Sequence, residues 1–174
     1  MAKGSSLCIG SLPETPRSIS SVIVDFYLVG RIALLEQLFS GRMLVSDFVQ
    51  QELMNANLEL AGAETVALST DDEWKFFQKL RQNRPGLGLG ELGALCLARF
   101  HDAMLLSNDR QARLAAEESG VLVHGSLGVL EYAVEIGRLS GVEAVEVLEE
   151  MISQGAWISE ELEEQFRKTV LRSP

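Results

Sequence analysis

The sequence predicts an α/β fold in which a parallel sheet is covered by helices on both faces. Short apolar segments alternate with helical segments along the chain, and this order is typical of parallel strands joined by crossover helices. The clearest example runs from Leu89 to Gly128, where a helix, a short strand, a second helix and another strand follow one another. The length of 174 residues is that of one domain.

The beginning of the chain differs from the rest in composition. Residues 1–18 contain Gly4-Ser5-Ser6 and the segment Pro13 to Pro16, and we predict that they are poorly structured. Within them, only Leu7-Cys8-Ile9 has the character of a short strand. The predicted domain, including C-terminal helices, covers residues 19–174.

Composition narrows the class of protein. The two cysteines form no CxxC or Cys/His cluster, so neither a zinc site nor a disulfide framework is indicated. Apolar runs are too short to span a bilayer, and the N-terminus does not have the pattern of a signal peptide. We therefore expect a cytoplasmic protein that does not associate with membranes.

The net charge of −10 argues against a protein that holds nucleic acid by bulk positive charge. A nuclease with a metal-binding acidic centre is still compatible with this charge, because such a centre needs several carboxylates. A bound divalent cation then reverses the local field.

The segment from Val22 to Phe39 has apolar residues at three- and four-residue steps and is predicted to be helical. Its first part, Ser21 to Asp25, also has the pattern of a strand that ends in an acid. We favour the helix because residues 10–18 offer no strand of their own, but both interpretations remain open.

A strand at 43–45 and a helix at 48–57 follow, and Ser46 or Asp47 is expected to cap that helix. The next pair is a strand at 65–69 and a helix that runs through Leu80. The aromatic residues of that helix, Trp74, Phe76 and Phe77, are predicted to pack inside the protein rather than to form a platform for stacking bases.

The second half repeats the alternation. A helix begins near Glu91, a short strand covers 104–106, and Asn108 and Asp109 follow it as strand end and helix cap. A strand at 121–124 and helices at 129–136, 142–152 and 160–171 complete the prediction, with Ser159 as the cap of the last helix.

Three acids fall at strand ends or in early helical turns: Glu52, Glu91 and Asp109. Ligands collect at the carboxyl ends of parallel strands, so these carboxylates are expected to share one site. Clustered carboxylates hold Mg²⁺ or Mn²⁺, which can activate water for phosphodiester hydrolysis. Each acid also has a structural interpretation, because Glu91 complements a helix dipole and Asp109 caps a helix.

Several segments carry a family resemblance. Gly90-Glu91-Leu92-Gly93-Ala94-Leu95-Cys96-Leu97-Ala98, Asn108-Asp109-Arg110-Gln111-Ala112-Arg113 and Gly125-Ser126-Leu127-Gly128 resemble motifs of the PIN-domain family, in its branch of small prokaryotic VapC-like proteins. The segments Val45 to Glu52 and Trp157 to Leu162 are similar to the family's second acidic segment and its tail. The likeness spans roughly residues 19–172.

This resemblance implies a three-layer α/β/α fold around a parallel sheet of about four or five strands. It also implies an Mg²⁺- or Mn²⁺-dependent ribonuclease, a toxin whose activity a small antitoxin protein inhibits, and a homodimer is a further expectation. Carried over by position, Glu52, Glu91 and Asp109 match the family's catalytic, metal-binding acids. The metal would activate water for attack on RNA, with no covalent enzyme intermediate.

The chain departs from the family pattern at two positions. Ile19 stands where the family has its first Asp, and Asp25, the candidate fourth acid, lies about six residues later. Asn108 occupies a position that is acidic in many members, and a neutral amide is a weaker Mg²⁺ ligand than a carboxylate. The alternative is therefore a degenerate, non-catalytic PIN-fold module that binds nucleic acid or protein.

Arg110 and Arg113 lie in the first turns after Asp109. One interpretation is that they hold RNA phosphates. The other is that they pair with Glu117 or Glu118, and the sequence does not separate the two.

Overall fold

The computed structural model describes residues 17–19 and 22–172. Residues 1–16, which include the candidate strand at Leu7-Cys8-Ile9 and most of the segment predicted to be poorly structured, lie outside the described residues. The described residues form five strands and nine helices. The strands are β1 (Arg17–Ile19), β2 (Met43–Ser46), β3 (Ala63–Val66), β4 (Leu105–Leu106) and β5 (Val123–His124). The helices are α1 (Val22–Leu28), α2 (Ile32–Leu38), α3 (Asp47–Asn55), α4 (Asp71–Asn83), α5 (Leu89–Phe100), α6 (Arg110–Glu118), α7 (Ser126–Glu135), α8 (Gly141–Ser153) and α9 (Glu160–Val170).

The strands pair in the order β3-β2-β1-β4-β5, and every pairing is parallel. β1 occupies the centre, where Ile19 pairs with Leu106 of β4. Because all strands run the same way, their carboxyl ends lie along one edge of the sheet. The predicted α/β class is confirmed, and this edge receives the residues that follow β2, β4 and β5.

Helices cover both faces of the sheet. Met43 and Val45 contribute to one hydrophobic cluster with α1, α2, α7, α8 and α9. Leu44, between them in β2, contributes to the other cluster, with α4, α5 and α6. This division follows from the alternation of side chains along a strand.

The long helix predicted over 22–39 is in fact two helices. Gly30 adopts a φ of +66°, a left-handed conformation that favours glycine, and it separates α1 from α2. The expectation that residues 10–18 contain no strand is also wrong, because Arg17 and Ser18 belong to β1. The third strand ends at Val66, three residues before its predicted end.

The choice between helix and strand around Asp25 is settled in favour of the helix. Asp25 is the fourth residue of α1 and lies in its first turn. Ile19 is the last residue of β1. Among the described helices, none combines the length and apolar character that crossing a membrane requires.

Candidate functional site

The site begins where α3 and α5 pack closely at the carboxyl edge of the sheet. Ser46 ends β2 and caps α3, since its hydroxyl accepts a hydrogen bond from the Val49 amide at 3.2 Å. Glu52 then lies on α3 against Gly90 of α5, where an added Cβ would be 2.7 Å from both carboxylate oxygens of Glu52. The absence of a side chain at Gly90 leaves room for this carboxylate.

Glu91 lies at the start of α5, as predicted. One of its oxygens accepts a hydrogen bond from the Gly88 amide at 3.0 Å, which completes the cap of the helix. Burial raises the pKa of Glu91, and the charges of Asp109 and Glu52 raise it further, against the lowering effect of the Gly88 hydrogen bond. Glu52 and Asp109 therefore both lie within electrostatic range of Glu91, although burial raises the pKa of Glu91 more than their charges do.

Asp109 is the N-cap of α6. Its Oδ1 accepts a hydrogen bond from the Ala112 amide at 2.7 Å, so the structural interpretation of this residue is correct. The residue before it, Asn108, turns toward a different set of partners.

Asn108 joins Asp25 and Ser126 in a hydrogen-bonded cluster, which we call the amide cluster. Its Nδ2 donates to Asp25 Oδ2 at 2.7 Å and to Ser126 Oγ at 2.8 Å, and its Oδ1 accepts from the Ser126 amide at 2.9 Å. The Ser126 hydroxyl also donates to Asp25 Oδ2, at 2.8 Å. The backbone amide of Ser126 fixes the orientation of the side-chain amide, so that its NH₂ group faces the carboxylate.

The amide cluster is tightly built. A Cβ at Gly125 would lie 2.5 Å from Asn108 Oδ1, so only glycine allows this approach. Ser126 is 2 % exposed, which leaves its hydroxyl dependent on the cluster for hydrogen bonds. Burial raises the pKa of Asp25 in spite of the hydrogen bonds from Ser126 and Asn108, which lower it.

An apolar groove of about 270 Å³ adjoins the acids. α1 and α3 form its walls, and Glu52 and Glu91 lie at its polar end. Its lining consists of Ile23, Val24, Val49, Glu52, Leu53, Ala56, Leu58, Gly88 and Glu91. Asp25 follows Val24 directly, so the amide cluster anchors the helix that forms one wall of this groove.

The residues present do not fit a divalent metal. Within the described ranges, no three side chains of His, Cys, Asp or Glu are grouped so that they could hold an ion. Asn108 directs its NH₂ group, which cannot act as a ligand, toward Asp25. Glu91 and Asp109 each commit an oxygen to a backbone amide. Asp25, the candidate fourth acid, is hydrogen-bonded to Asn108 and Ser126.

The two candidate phosphate-binding arginines do not form the predicted ion pairs. Arg113 donates to the Ser107 carbonyl oxygen at 3.4 Å, and Arg110 is exposed. Glu118 instead pairs with Arg84, which also donates to Gln111. The role of Arg110 and Arg113 in holding phosphates stays a prediction.

Sequence reasoning missed Ser126 and the apolar wall from α1. Ser126 follows β5 at the carboxyl edge of the sheet, which is the same signal that singled out Asn108 and Asp109. Ile23 and Val24 were assigned only to a helix, since periodicity does not show which apolar residues remain open to a groove.

The site thus combines an α/β sheet edge, a group of acids and an adjoining groove. The family model for DUF3368, which is described as a PIN domain, matches residues 18–171. The match covers most of the chain, and the protein therefore belongs to this PIN-domain family, as the resemblance had implied. No curated protein matches the chain.

Proposed function

We propose that this protein is a PIN-fold binding module that does not hydrolyse RNA through a bound metal. Its groove holds a segment of a small partner protein in the cytoplasm. The observation that carries this proposal is the amide cluster, in which Asn108 and Ser126 satisfy the carboxylate of Asp25 by hydrogen bonds. These hydrogen bonds stabilise the charged carboxylate, so a bound cation would add less stabilisation than it would at an unpaired carboxylate.

The chemistry of the groove indicates the kind of segment that it binds. Its walls are apolar, while Glu52 and Glu91 have no cationic partner among the described residues. A helix with one apolar face and a lysine or arginine at its end would fill the walls and neutralise the acids. In the proposed complex, a small antitoxin protein of the kind that the VapC-like resemblance implies supplies this helix. A homodimer that forms through the same groove is the alternative occupant.

The absence of metal-dependent hydrolysis is tested by introducing acids at the two positions where the chain departs from the family pattern. Purified wild-type protein is expected to leave a labelled RNA uncut in Mg²⁺ or Mn²⁺, while the double variant Ile19→Asp/Asn108→Asp is expected to gain metal-dependent cleavage. Asp47→Asn is the control, since Asp47 lies at the start of α3 and is exposed. Cleavage by the wild type that disappears in Glu91→Gln would overturn the proposal.

The groove is tested with a pair of designed peptides. Both are leucine-faced helices, and they differ by an arginine or a glutamate at one end. The arginine peptide is expected to bind more tightly, and the difference should vanish in the double variant Glu52→Gln/Glu91→Gln. Equal binding of the two peptides to the wild type would contradict the role of the acids.

A second candidate is the Mg²⁺- or Mn²⁺-dependent ribonuclease of a toxin–antitoxin pair, acting on RNA through Glu52, Glu91 and Asp109. One observation favours it: Glu52 and Asp109 both raise the pKa of Glu91, as acids that share a site would. Loss of Mn²⁺-dependent cleavage in Asp25→Asn would support this candidate and would also place Asp25 in the working site.

A further inference from the structure

The two tryptophans of this chain differ in their surroundings. Trp74 is 41 % exposed, and its ring forms a T-shaped contact with Phe77 at 5.6 Å between centroids. The prediction that the aromatic residues of α4 pack inside the protein is therefore correct for the buried Phe77 and wrong for Trp74. Trp157 is 88 % exposed, which is the highest value among the large apolar side chains of the described residues. Its ring contacts no other aromatic ring within this part of the chain.

The backbone around Trp157 is held from both sides. Gly155 lies just beyond α8 with a φ of +99°, and the Ala156 amide donates to the Met151 carbonyl oxygen at 3.0 Å. The side chains of Ala156 and Ile158 pack against the hydrophobic cluster that includes α8 and α9. Because both of its neighbours are anchored in this cluster, the indole is held on the solvent side. Tryptophan is among the residues that contribute most to binding at protein interfaces, and here it is pre-organised for a partner.

Two exposed acids follow Trp157 in the sequence. Glu160 and Glu161 lie in the first turn of α9, and neither forms an ion pair within the described ranges. The cations of its last turn, Arg167 and Lys168, are both paired with glutamates. The helix dipole places only about half a positive charge at this end of α9, so the surface beside Trp157 is negative.

Leu162 adds an apolar side chain to this region, since it is 50 % exposed at the start of α9. Trp157, Glu160, Glu161 and Leu162 fall within six consecutive positions, so a short segment of another protein can contact all of them. We call these four side chains the Trp157 surface. It shares no residue with the groove, the acids beside the groove or the amide cluster.

We infer that the Trp157 surface binds an arginine-rich segment of a partner protein. The guanidinium group of one arginine lies over the indole ring, whose negative face attracts it. Neighbouring cations of the segment pair with Glu160 and Glu161, and the aliphatic part of an arginine side chain contacts Leu162. This binding does not depend on the function proposed for the groove.

The charge of the Trp157 surface disfavours other occupants. Glu160 and Glu161 would repel nucleic acid and the anionic surface of a membrane. A second copy of the chain carries the same acids and a net charge of −10, so two such surfaces would repel each other. A lysine-rich segment could neutralise the acids, but a planar guanidinium also stacks on an aromatic face, which an ammonium group cannot do. Arginine is therefore expected to be preferred over lysine.

The first test measures the binding of a fluorescein-labelled peptide of alternating arginine and glycine by anisotropy at low salt. The wild type is expected to bind this peptide more tightly than the corresponding lysine peptide. Trp157→Ala and Trp157→Leu are both expected to weaken binding about two- to fivefold, because leucine supplies apolar area without an aromatic face. The preference for arginine should disappear in both variants. Leu122→Ala is the control, since Leu122 is also exposed.

The contribution of the acids is measured with the double variant Glu160→Gln/Glu161→Gln. It is expected to bind the arginine peptide more weakly and with a smaller dependence on salt, because two ion pairs are lost. The matched control is Glu117→Gln/Glu135→Gln, which removes the same charge at exposed positions of α6 and α7. Equal weakening by the two double variants would show that the peptide follows the net charge and would overturn the inference.

A second measurement reports on the ring itself. In the variant Trp74→Phe, Trp157 is the remaining tryptophan, because the chain contains two. Its fluorescence is expected to change when the arginine peptide is added and to stay constant with a peptide of alternating glutamate and glycine. No binding of the arginine peptide, equal affinity of the wild type for the arginine and lysine peptides, or equal losses in Trp157→Ala and Leu122→Ala would each contradict the inference.

Discussion

Two polar clusters at the same edge of the sheet have opposite character. The first contains Glu91, whose pKa is raised by burial and by the charges of Asp109 and Glu52, and none of these three acids forms an ion pair among the described residues. The second is the amide cluster, in which Asn108 and Ser126 donate hydrogen bonds to Asp25. The acids of the first cluster form no ion pair among the described residues, whereas the single acid of the second accepts hydrogen bonds within its own cluster.

This difference is the basis for our proposal that the protein keeps the PIN fold without a working metal centre. An amide in place of a carboxylate at Asn108 changes repulsion toward Asp25 into a hydrogen bond. The cluster thereby stabilises α1, whose Ile23 and Val24 line the groove. In the function that we propose, Glu52 and Glu91 bind the cationic end of a partner helix.

The largest expected effect concerns the packing that supports the acid cluster. A Cβ at Gly93 would lie 2.7 Å from both the Phe48 ring and the Ser46 hydroxyl, and both residues belong to the contact with α3. Gly93→Ala is expected to lower the free energy of unfolding by about 2–3 kcal/mol through overpacking. Urea denaturation followed by circular dichroism measures this change.

Gly90→Ala is the matched control on the same helix. Its Cβ would meet only the end of the Glu52 side chain, which can move aside. The stability should therefore change by less than about 1 kcal/mol, in the favourable direction that alanine has in a helix. Equal losses for the two variants would show that Gly93 has no special packing role.

A smaller effect is expected from opening the amide cluster. Asp25→Ala removes the acceptor of both Asn108 and Ser126, and the buried Ser126 hydroxyl keeps only its contact with Asn108. We expect a loss of about 1 kcal/mol in unfolding free energy. Asp47→Ala, at the start of α3, provides the control, and an effect as large as that of Asp25→Ala would argue against a stabilising cluster.

The smallest effect is a dependence on pH that differs in sign between two similar glutamates. Glu91 and Glu143 both accept a hydrogen bond from the amide that begins their helices. The pKa of Glu91 is raised by burial, whereas hydrogen bonds from Ser140 lower the pKa of Glu143. The folded state therefore disfavours the charge of Glu91 and favours that of Glu143.

Glu91→Gln is expected to raise the Tm at pH 7, and the gain should vanish as the pH falls below about 4, where the wild-type side chain is protonated as well. Glu143→Gln is expected to lower the Tm at pH 7, and this loss should also fade toward acidic pH. Differential scanning calorimetry across pH measures both. A lower Tm for Glu91→Gln at pH 7 would contradict the conclusion that the folded state disfavours the charge of Glu91.

Local signals predicted the α/β class and the places of the acids. Asp109 was correctly identified as a helix cap, and Glu91 as the acid of a first turn, because both follow from neighbouring residues. The split of the first long helix at Gly30 was missed, since the apolar spacing continues across it. The spacing of apolar residues indicates which side chains are buried, but it does not indicate where the backbone adopts a left-handed conformation.

The amide cluster was not predictable from local pattern. Asp25 and Ser126 are separated by 101 residues, and only the central position of β1 beside β4 brings α1 to Asn108. The family resemblance implied that Asn108 occupies a position that is acidic in many members, but not that its amide would face Asp25. That contact depends on how helices pack on the sheet, which a single sequence does not specify.

Isothermal titration of Mn²⁺ into the purified protein tests most directly whether the site has lost its metal chemistry. The wild type is expected to show no saturable binding at concentrations up to about 1 mM, while Ile19→Asp/Asn108→Asp should acquire a measurable site because carboxylates replace a neutral amide and an apolar side chain. Saturable micromolar binding to the wild type, abolished by Glu91→Gln, would contradict the proposal and identify the acid cluster as a metal centre.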